Sequence, residues 1–170
     1  MTKISEFNDQ DPSEQLKASF RRHASGVCVI TSTLSDGAPV GFTATSVTSL
    51  GANPPLLTFN VARGSSSWPA LVVGAPVAVH TLGAANLQLA KKMSSDHTLR
   101  FIESDWIPGP NNAPVFVDAT SVLIGTILEI HNVENNAVVV VRVSGGALGG
   151  EDSALLYNQR GYFAPGQQVS

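Results

Sequence analysis

Small hydroxyl residues are concentrated in residues 41–61, and their type and spacing suggest that this stretch binds a ligand. These residues are Thr43, Thr45, Ser46, Thr48 and Ser49. Each hydroxyl adds a side-chain donor to the backbone N–H groups of an extended or turning chain, and small side chains let a ligand approach closely. A segment of this kind suits an anionic, planar ligand.

A second hydroxyl-rich run follows the apolar strand predicted over residues 56–61. It reads Arg63-Gly64-Ser65-Ser66-Ser67-Trp68-Pro69 and falls where the loop after that strand should lie. Two donor-rich loops around one strand would form a cradle for the ligand. The alternative is that both runs are ordinary surface turns. Ser, Thr, Gly and Pro are also the usual residues of turns, and composition alone favours this alternative.

Other residue types give no sign of catalysis by protein groups. Cys28 lies in the apolar run 27–30, where we expect a buried, inert thiol that cannot form an internal disulfide. His80 lies in a predicted strand, where we expect a satisfied core or interface histidine, and the other histidines lack metal-ligand spacing. Asp96 and Asp105 give no paired-carboxylate signal. We therefore predict no catalytic residue and no metal site.

Length and composition limit the class of protein. A chain of 170 residues fits one domain with a substantial core, and 14% charged residues is a low content for a soluble domain. The low charge suggests that another subunit covers part of the surface. The net charge of −3 argues against nucleic acid as the main partner. We see neither a secretory signal nor an apolar run long enough to span a membrane, and so expect a cytoplasmic protein.

The elements that must position these residues follow from apolar periodicity and from turn residues. We expect a flexible N-terminal arm over residues 1–12 and a single domain over 13–170. The domain should begin with a helix that runs from the N-cap Ser13 to His23. Further predicted elements are strands over 27–33, 56–61, 76–82, 120–133 and 137–143, a helix over 86–93, hairpin turns at 35–38 and 134–136, and a surface loop over 106–114. So many strands favour closure into a barrel, which hides strand edges.

The order of these features resembles the flavin reductase-like family over residues 13–163. The pieces that carry the resemblance include Phe20…Ser25-Gly26-Val27-Cys28-Val29-Ile30-Thr31, Gly41-Phe42-Thr43-Ala44-Thr45-Ser46…Ser49, Asn53-Pro54-Pro55-Leu56-Leu57, Arg100-Phe101 and Leu155-Leu156-Tyr157…Gly161-Tyr162-Phe163. The resemblance implies a mainly β fold with a few helices, namely a Greek-key-like split β-barrel. It implies that FMN, or FAD in some members, binds across the barrel mouth at a homodimer interface. It also implies the reductase component of a two-component flavin-dependent monooxygenase.

Residue by residue, the resemblance implies contacts to the flavin. Residues Thr43, Ala44, Thr45 and Ser46 correspond to the segment that contacts the isoalloxazine edge and ribityl chain, and Ser49 to a further polar contact. The phosphate end would be held by Ser65, Ser66, Ser67 and Trp68. Arg63 is either a bidentate partner for the phosphate or a solvated surface residue, with neither favoured.

Two departures from the family pattern bear on function. The family usually has Asn at the position of Thr45, and commonly has Gly-Asp-His where this chain has Glu134-Asn135-Asn136. In the family, that His faces the nicotinamide. Asn136 could still hydrogen-bond a carboxamide there but cannot change charge near neutral pH, and a family Gly is replaced by Val141.

The resemblance implies an NAD(P)H-dependent flavin reductase, an NAD(P)H:flavin oxidoreductase that transfers a hydride directly from nicotinamide C4 to flavin N5. The cofactor carries this chemistry, which agrees with a sequence that lacks a catalytic triad. Two alternatives stay open. One is an FMN-binding flavoprotein with little or no NAD(P)H reductase activity, which the missing His favours. The other is a split-barrel protein that has lost the flavin.

Overall fold

Twelve strands and two α-helices are present in residues 11–166, the part of the chain that the computed structural model describes. The helices are α1 (Pro12–Arg21) and α2 (Leu87–Met93). The strands are β1 (Ser25–Gly26), β2 (Cys28–Thr33), β3 (Pro39–Ala44), β4 (Thr48–Ala52), β5 (Pro55–Ala62), β6 (Pro76–Thr81), β7 (Trp106–Pro108), β8 (Pro114–Phe116), β9 (Ser121–Val133), β10 (Asn136–Leu148), β11 (Leu156–Asn158) and β12 (Gly161–Phe163). No helix in this range is long and apolar enough to cross a membrane.

Seven of the strands form one antiparallel sheet in the order β3-β2-β6-β9-β10-β5-β4. Its two end strands, β3 and β4, are neighbours in the chain and are joined only by residues 45–47. The sheet curls back on itself, since the rings of Phe42 on the end strand β3 and Phe59 on β5, which is next to the other end strand, lie 6.0 Å apart. The hairpins are interleaved, because β6 pairs with β2 and β9 while β5 pairs with β10. The predicted mainly β, Greek-key-like split barrel is confirmed.

Apolar side chains fill the barrel interior and a second layer outside it. The interior cluster includes Ile30, Phe59 and Val139, all fully buried. A second cluster, with Val27, Leu82 and Met93, joins the outside of the barrel to α2, β8 and β11. The layer between them is β2, whose residues are buried on both faces from Cys28 to Ser32. Its β-branched, apolar sequence therefore made the strand predictable.

Cys28 is buried as predicted, at the start of β2. Loss of solvation raises the pKa of its thiol to about 11, although a hydrogen bond with the Thr81 side chain opposes the shift. The reactive form of cysteine is the thiolate, so this thiol is inert near neutral pH.

The two predicted hairpins are present. In the first, Asp36 accepts a hydrogen bond from the Ala38 N–H at 2.9 Å and Gly37 adopts φ +87°. In the second, the turn is shorter than predicted, since Asn136 already pairs with Val133 as the first residue of β10. β10 also continues to Leu148, although its pairing with β5 ends at Arg142, which lies opposite Leu56. The low strand propensity of its glycines hid this extension.

Three further features differ from the prediction. The N-cap of α1 is Asp11 rather than Ser13: its carboxylate accepts from the Ser13 N–H at 3.1 Å, and proline suits the first helical position. The helix also ends at Arg21, before His23. The predicted arm therefore stops short of Pro12, and residues 1–10 lie outside the described residues. The third correction concerns the predicted loop 106–114, where β7 pairs with β8.

Candidate functional site

The two hydroxyl-rich segments line one groove of about 330 Å³ beside β3 and β5. Its apolar lining comes from Phe42, Ala44, Val61 and Ala62. Its polar lining comes from Thr43, Thr45, Ser46, Asn60 and Ser65. An apolar surface edged by a few polar groups is typical of small-ligand sites, and it can hold a planar ring while hydrogen-bonding its edge.

The outer edge of β3 forms one wall of this groove. The Gly41 carbonyl oxygen points to that edge, because it accepts from Ser67 Oγ at 3.2 Å and from Arg100 Nη1 at 2.8 Å. In an antiparallel strand a residue's N–H and C=O point to the same side, and alternate residues share that side. The Thr43 N–H is therefore directed outward beside the groove. The Thr43 hydroxyl instead donates to the Ala90 carbonyl of α2 at 2.7 Å.

The connection after β3 is held by a side-chain bridge to β5. Ser46 Oγ accepts from the Asn60 N–H at 3.0 Å and donates to the Asn60 carbonyl at 3.4 Å. Its hydroxyl hydrogen is thus already used in a hydrogen bond, so Ser46 holds the connection after β3 against β5. Thr45, the residue before Ser46, is exposed and lines the groove. Ala44 is buried against the core and contributes wall rather than hydrogen bonds.

The second hydroxyl segment divides into exposed and buried residues. Ser65 lines the groove, and its Oγ accepts from the Ser67 N–H at 3.3 Å, which leaves its own hydrogen to donate. Ser66 is exposed and lies outside the groove lining. Ser67 is buried, and because its hydroxyl donates to Gly41 it fastens this loop to β3. Trp68 packs partly buried against the barrel core.

Arg63 joins this loop to the β9–β10 turn. Its Nη1 donates to the Glu134 carbonyl at 3.1 Å, and its N–H donates to the Asn135 carbonyl at 2.9 Å. The guanidinium also lies over the Trp68 ring, 5.9 Å from the ring centroid. A guanidinium offers five donors, so one contact to a carbonyl leaves capacity for an anion. Arg63 is exposed and directly follows Ala62 of the groove.

Two further predicted site residues, Asn136 and Ser49, also lie outside the groove lining. Asn136 is exposed and pairs across the sheet with Ala62, so it stands at the end of the groove where Arg63 also lies. Ser49 is exposed on β4 and does not contribute to the groove lining.

Arg100 also lies in this region, and we predicted no role for it in the site. Besides its bond to Gly41, its Nε and Nη2 both donate to the Ser95 carbonyl, at 3.0 Å and 2.8 Å. Partial burial lowers the pKa of Arg100, with an opposing contribution from the charge of Asp96. Its partners lie 59 and 5 residues away, and only the nearer one could have been suggested by local sequence.

His80 is a structural residue, as predicted. It is fully buried, and its Nε2 accepts from the Phe116 N–H at 3.1 Å, so Nδ1 carries the proton and donates to the Val29 carbonyl at 3.0 Å. Burial lowers the pKa of His80 to about 4, against a smaller raising effect of the Val29 hydrogen bond. None of the four histidines, all within the described residues, lines the groove.

The sequence and the fold of this chain are similar to those of known proteins. The family model described as flavin reductase like domain matches residues 20–166. The chain is 44% identical to a flavin reductase domain protein from Arthrobacter sp. FB24 of known crystal structure, with a TM-score of 0.88 over 93% of this chain and 98% of that one.

Two curated proteins are also similar. One is the NADH:FMN oxidoreductase of Rhodococcus qingshengii, at 33% identity over 88% of this chain and 80% of that protein. The other is the stachydrine N-demethylase reductase subunit Stc3 of Rhizobium meliloti (strain 1021), at 30% identity over 88% of this chain and 65% of that protein.

Proposed function

Because the chain belongs to the flavin reductase-like family, we propose that it is an NAD(P)H:flavin oxidoreductase that reduces FMN with NADH. FAD is the second flavin that we would test. The observation that carries the proposal is the groove in which residues 42–46 and Ser65 meet across β5. The similarity to an NADH:FMN oxidoreductase supports the choice of FMN and NADH over other planar, anionic ligands.

The groove residues fit a flavin in chemical character. Phe42, Val61 and Ala62 offer an apolar surface for the ring system. The Thr43 N–H and the hydroxyls of Thr45 and Ser65 offer donors at its edge, which suits the carbonyl-rich side of an isoalloxazine. No charged side chain lines the groove, and the nearest predicted anion partner is Arg63 beside it.

The residue roles that we propose follow from these positions. Thr43, Ala44, Thr45 and Ser65 form the wall against the ring and ribityl chain, with Ser49 as a more distant polar contact. Arg63, Ser66 and Trp68 hold the phosphate end. Ser46 and Ser67 fix the two segments through Asn60 and Gly41. Asn136 lies on the nicotinamide side, where its amide can hydrogen-bond a carboxamide.

Hydride transfer from nicotinamide C4 to flavin N5 is chemistry that the two ligands supply when bound. The chain's own contribution is to hold two planar groups face to face and to exclude water from between them. The apolar groove surface and the fixed wall of β3 serve this purpose. Donors at the ring edge, the Thr43 N–H and the Thr45 hydroxyl, would stabilise negative charge on the reduced ring. No protein acid, base or nucleophile is required.

The proposal extends to partners. We propose that the chain acts as a homodimer and supplies reduced flavin to an oxygenase component. The similarity to Stc3, the reductase subunit of an N-demethylase, supports a role as one part of such a system.

A second candidate is a flavoprotein that binds FMN and has little or no NAD(P)H reductase activity. The position of Asn136 favours it, because the residue beside the groove end has no titratable side chain where family members commonly carry His. This candidate shares the flavin site and differs only in the nicotinamide step.

The test is an anaerobic mixing experiment with purified protein, FMN and NADH, followed at the nicotinamide and flavin absorbance bands. Joint bleaching of both bands at a catalytic rate is expected, and NADPH should act more slowly. Bound FMN that stays oxidised would establish the second candidate instead. Absence of both binding and bleaching would overturn both.

A matched pair of variants connects the activity to the groove. Ala62→Trp fills the groove from β5 and should abolish FMN binding. Ala52→Trp adds the same ring to an exposed alanine at the other end of the β4–β5 hairpin, and should keep FMN binding.

A further inference from the structure

Three of the chain's six arginines lie around one pocket of about 380 Å³. Arg21 and Arg22 come from the end of α1, and Arg160 comes from the turn between β11 and β12. Ala18 and Gln159 complete the lining, so no acidic residue of the described part of the chain lines it. We call this feature the arginine pocket. Within residues 11–166 it has no lining residue in common with the groove.

The three guanidinium groups have no partner within residues 11–166. Their side chains form neither an ion pair nor a hydrogen bond there. Like charges that lie close together repel each other, so the cluster weakens the fold unless an anion binds between its members. The end of a helix favours nearby cations, which accounts for Arg21 and Arg22. It does not account for Arg160, which lies on a separate turn.

Arg160 occupies a backbone position that other residue types suit better. Gln159 and Arg160 are the two residues between the paired Asn158 and Gly161, and their φ angles are positive, at 47° and 64°. A two-residue hairpin turn of this kind strongly favours Asn-Gly, because a larger side chain crowds the backbone at positive φ. Such strained residues are concentrated at functional sites. The group that a glycine would lack at this position is the guanidinium of the arginine pocket.

The turn is joined to the end of α1 by two hydrogen bonds. The Gln159 N–H donates to the Arg21 carbonyl at 3.0 Å, and Asn158 Nδ2 donates to the Arg22 carbonyl at 3.4 Å. Free carbonyls at a helix end repel anions, and these bonds occupy two of them. They also hold the backbone of both arginine-bearing segments together, so an anion has only side chains to order when it binds.

We propose that the arginine pocket binds the diphosphate group of a nucleotide. A guanidinium pairs with a phosphate through two parallel hydrogen bonds, and three such groups suit two linked phosphates better than one. The pocket is confined to five lining residues, which favours a small ligand over an extended strand of nucleic acid. Two sources supply this group, a nucleoside diphosphate and a dinucleotide. The inference does not depend on flavin reduction.

Isothermal titration of the full chain with inorganic diphosphate at low salt tests the proposal. The wild type should bind one diphosphate per chain, at least about tenfold more tightly than single phosphate, and less tightly as salt is added. Arg22→Gln and Arg160→Gln should each lower the affinity about tenfold or more, because each removes charge-assisted hydrogen bonds. Arg142→Gln removes the same charge from an exposed arginine of β10 and should bind like the wild type. A wild type that does not bind, or an equal loss in all three variants, would overturn the proposal.

The variant Arg160→Gly separates ligand binding from the stability of the fold. Glycine suits the positive φ of this position, so the free variant should melt at a higher temperature than the free wild type. Diphosphate should raise the melting temperature of the wild type, because the ligand binds only the folded state, and should leave that of Arg160→Gly unchanged. An equal rise in both proteins would show that the arginine pocket is not the binding site.

Competition against bound diphosphate identifies the source, with ADP and NADH as the two competitors. Displacement by ADP alone would assign the pocket to a nucleoside diphosphate. Displacement by NADH, together with weaker NADH binding in Arg160→Gln, would assign it to a dinucleotide. If neither nucleotide displaces diphosphate, the proposal fails.

Discussion

The buried hydroxyl of Ser67 donates to the Gly41 carbonyl oxygen at 3.2 Å, which ties the loop after β5 to the edge strand β3. The bond therefore joins the loop that carries Ser65 to the strand that forms one wall of the groove. We expect Ser67→Ala to raise the KM for FMN about fivefold, because a hydrogen bond of this kind contributes about 1 kcal/mol, with little change in kcat. Steady-state kinetics with varied FMN would measure this split.

Ser32→Ala is the matched control for Ser67→Ala. Ser32 is equally buried, and its hydroxyl donates to the Pro76 carbonyl at 2.7 Å, away from the groove. Both variants should lower the melting temperature, but only Ser67→Ala should change the KM for FMN. Equal KM values in the two variants would show that the Ser67 bond serves stability alone.

Arg63 gives a prediction that separates a phosphate partner from a surface residue. Arg63→Ala should raise the KM for FMN about tenfold, since a charge-assisted hydrogen bond is lost, while the KM for riboflavin, which has no phosphate, should stay nearly constant. Arg142→Ala, at an exposed arginine of β10, is the control. If the KM values for FMN and for riboflavin rise equally, Arg63 acts by holding Trp68 and the β9–β10 turn in place.

Local sequence predicted most of the fold and the meeting of the two hydroxyl segments. The β-branched runs of β2, β6 and β10 and the turn at Asp36 each carry their own signal. Which hydroxyls remain for a ligand was not predictable. Thr43 donates to a carbonyl 47 residues away and Ser67 to one 26 residues away, and such pairings depend on the tertiary fold.

Short-range details were missed for a different reason. We predicted Ser13 as the N-cap of α1, but Asp11, a residue type equally suited to that position, is the N-cap. The pairing of β7 with β8 was not predicted because Pro108, which ends β7, and Pro114, which begins β8, are of a residue type more common in loops than in strands.

Asn136, beside the end of the groove, leads us to expect that the KM for NADH does not change with pH near neutrality. Asn136 does not titrate, and no histidine lines the groove, so the KM for NADH should be constant between about pH 6 and pH 8. Asn136→His should introduce an inflection near the ordinary histidine pKa of about 6.5, with a lower KM on the acid side, where the imidazolium attracts the pyrophosphate of NADH. A wild-type profile with its own inflection near this pH would contradict the assignment.

Buried His80 makes the fold sensitive to acid. Its pKa is about 4 in the folded protein and near the ordinary 6.5 in the unfolded chain, so the unfolded state binds more protons between these values. Its stabilising contribution is complete above about pH 6.5 and is lost as the pH falls towards 4, with about 2 kcal/mol lost between pH 7 and pH 5.

Urea denaturation at several pH values would show this loss as a falling midpoint of unfolding. His80→Gln should be less stable at pH 7 but should have a flatter dependence, whereas His131→Gln, at an exposed histidine beside Glu129, should keep the wild-type slope. Equal slopes for wild type and His80→Gln would mean that other groups control the acid sensitivity.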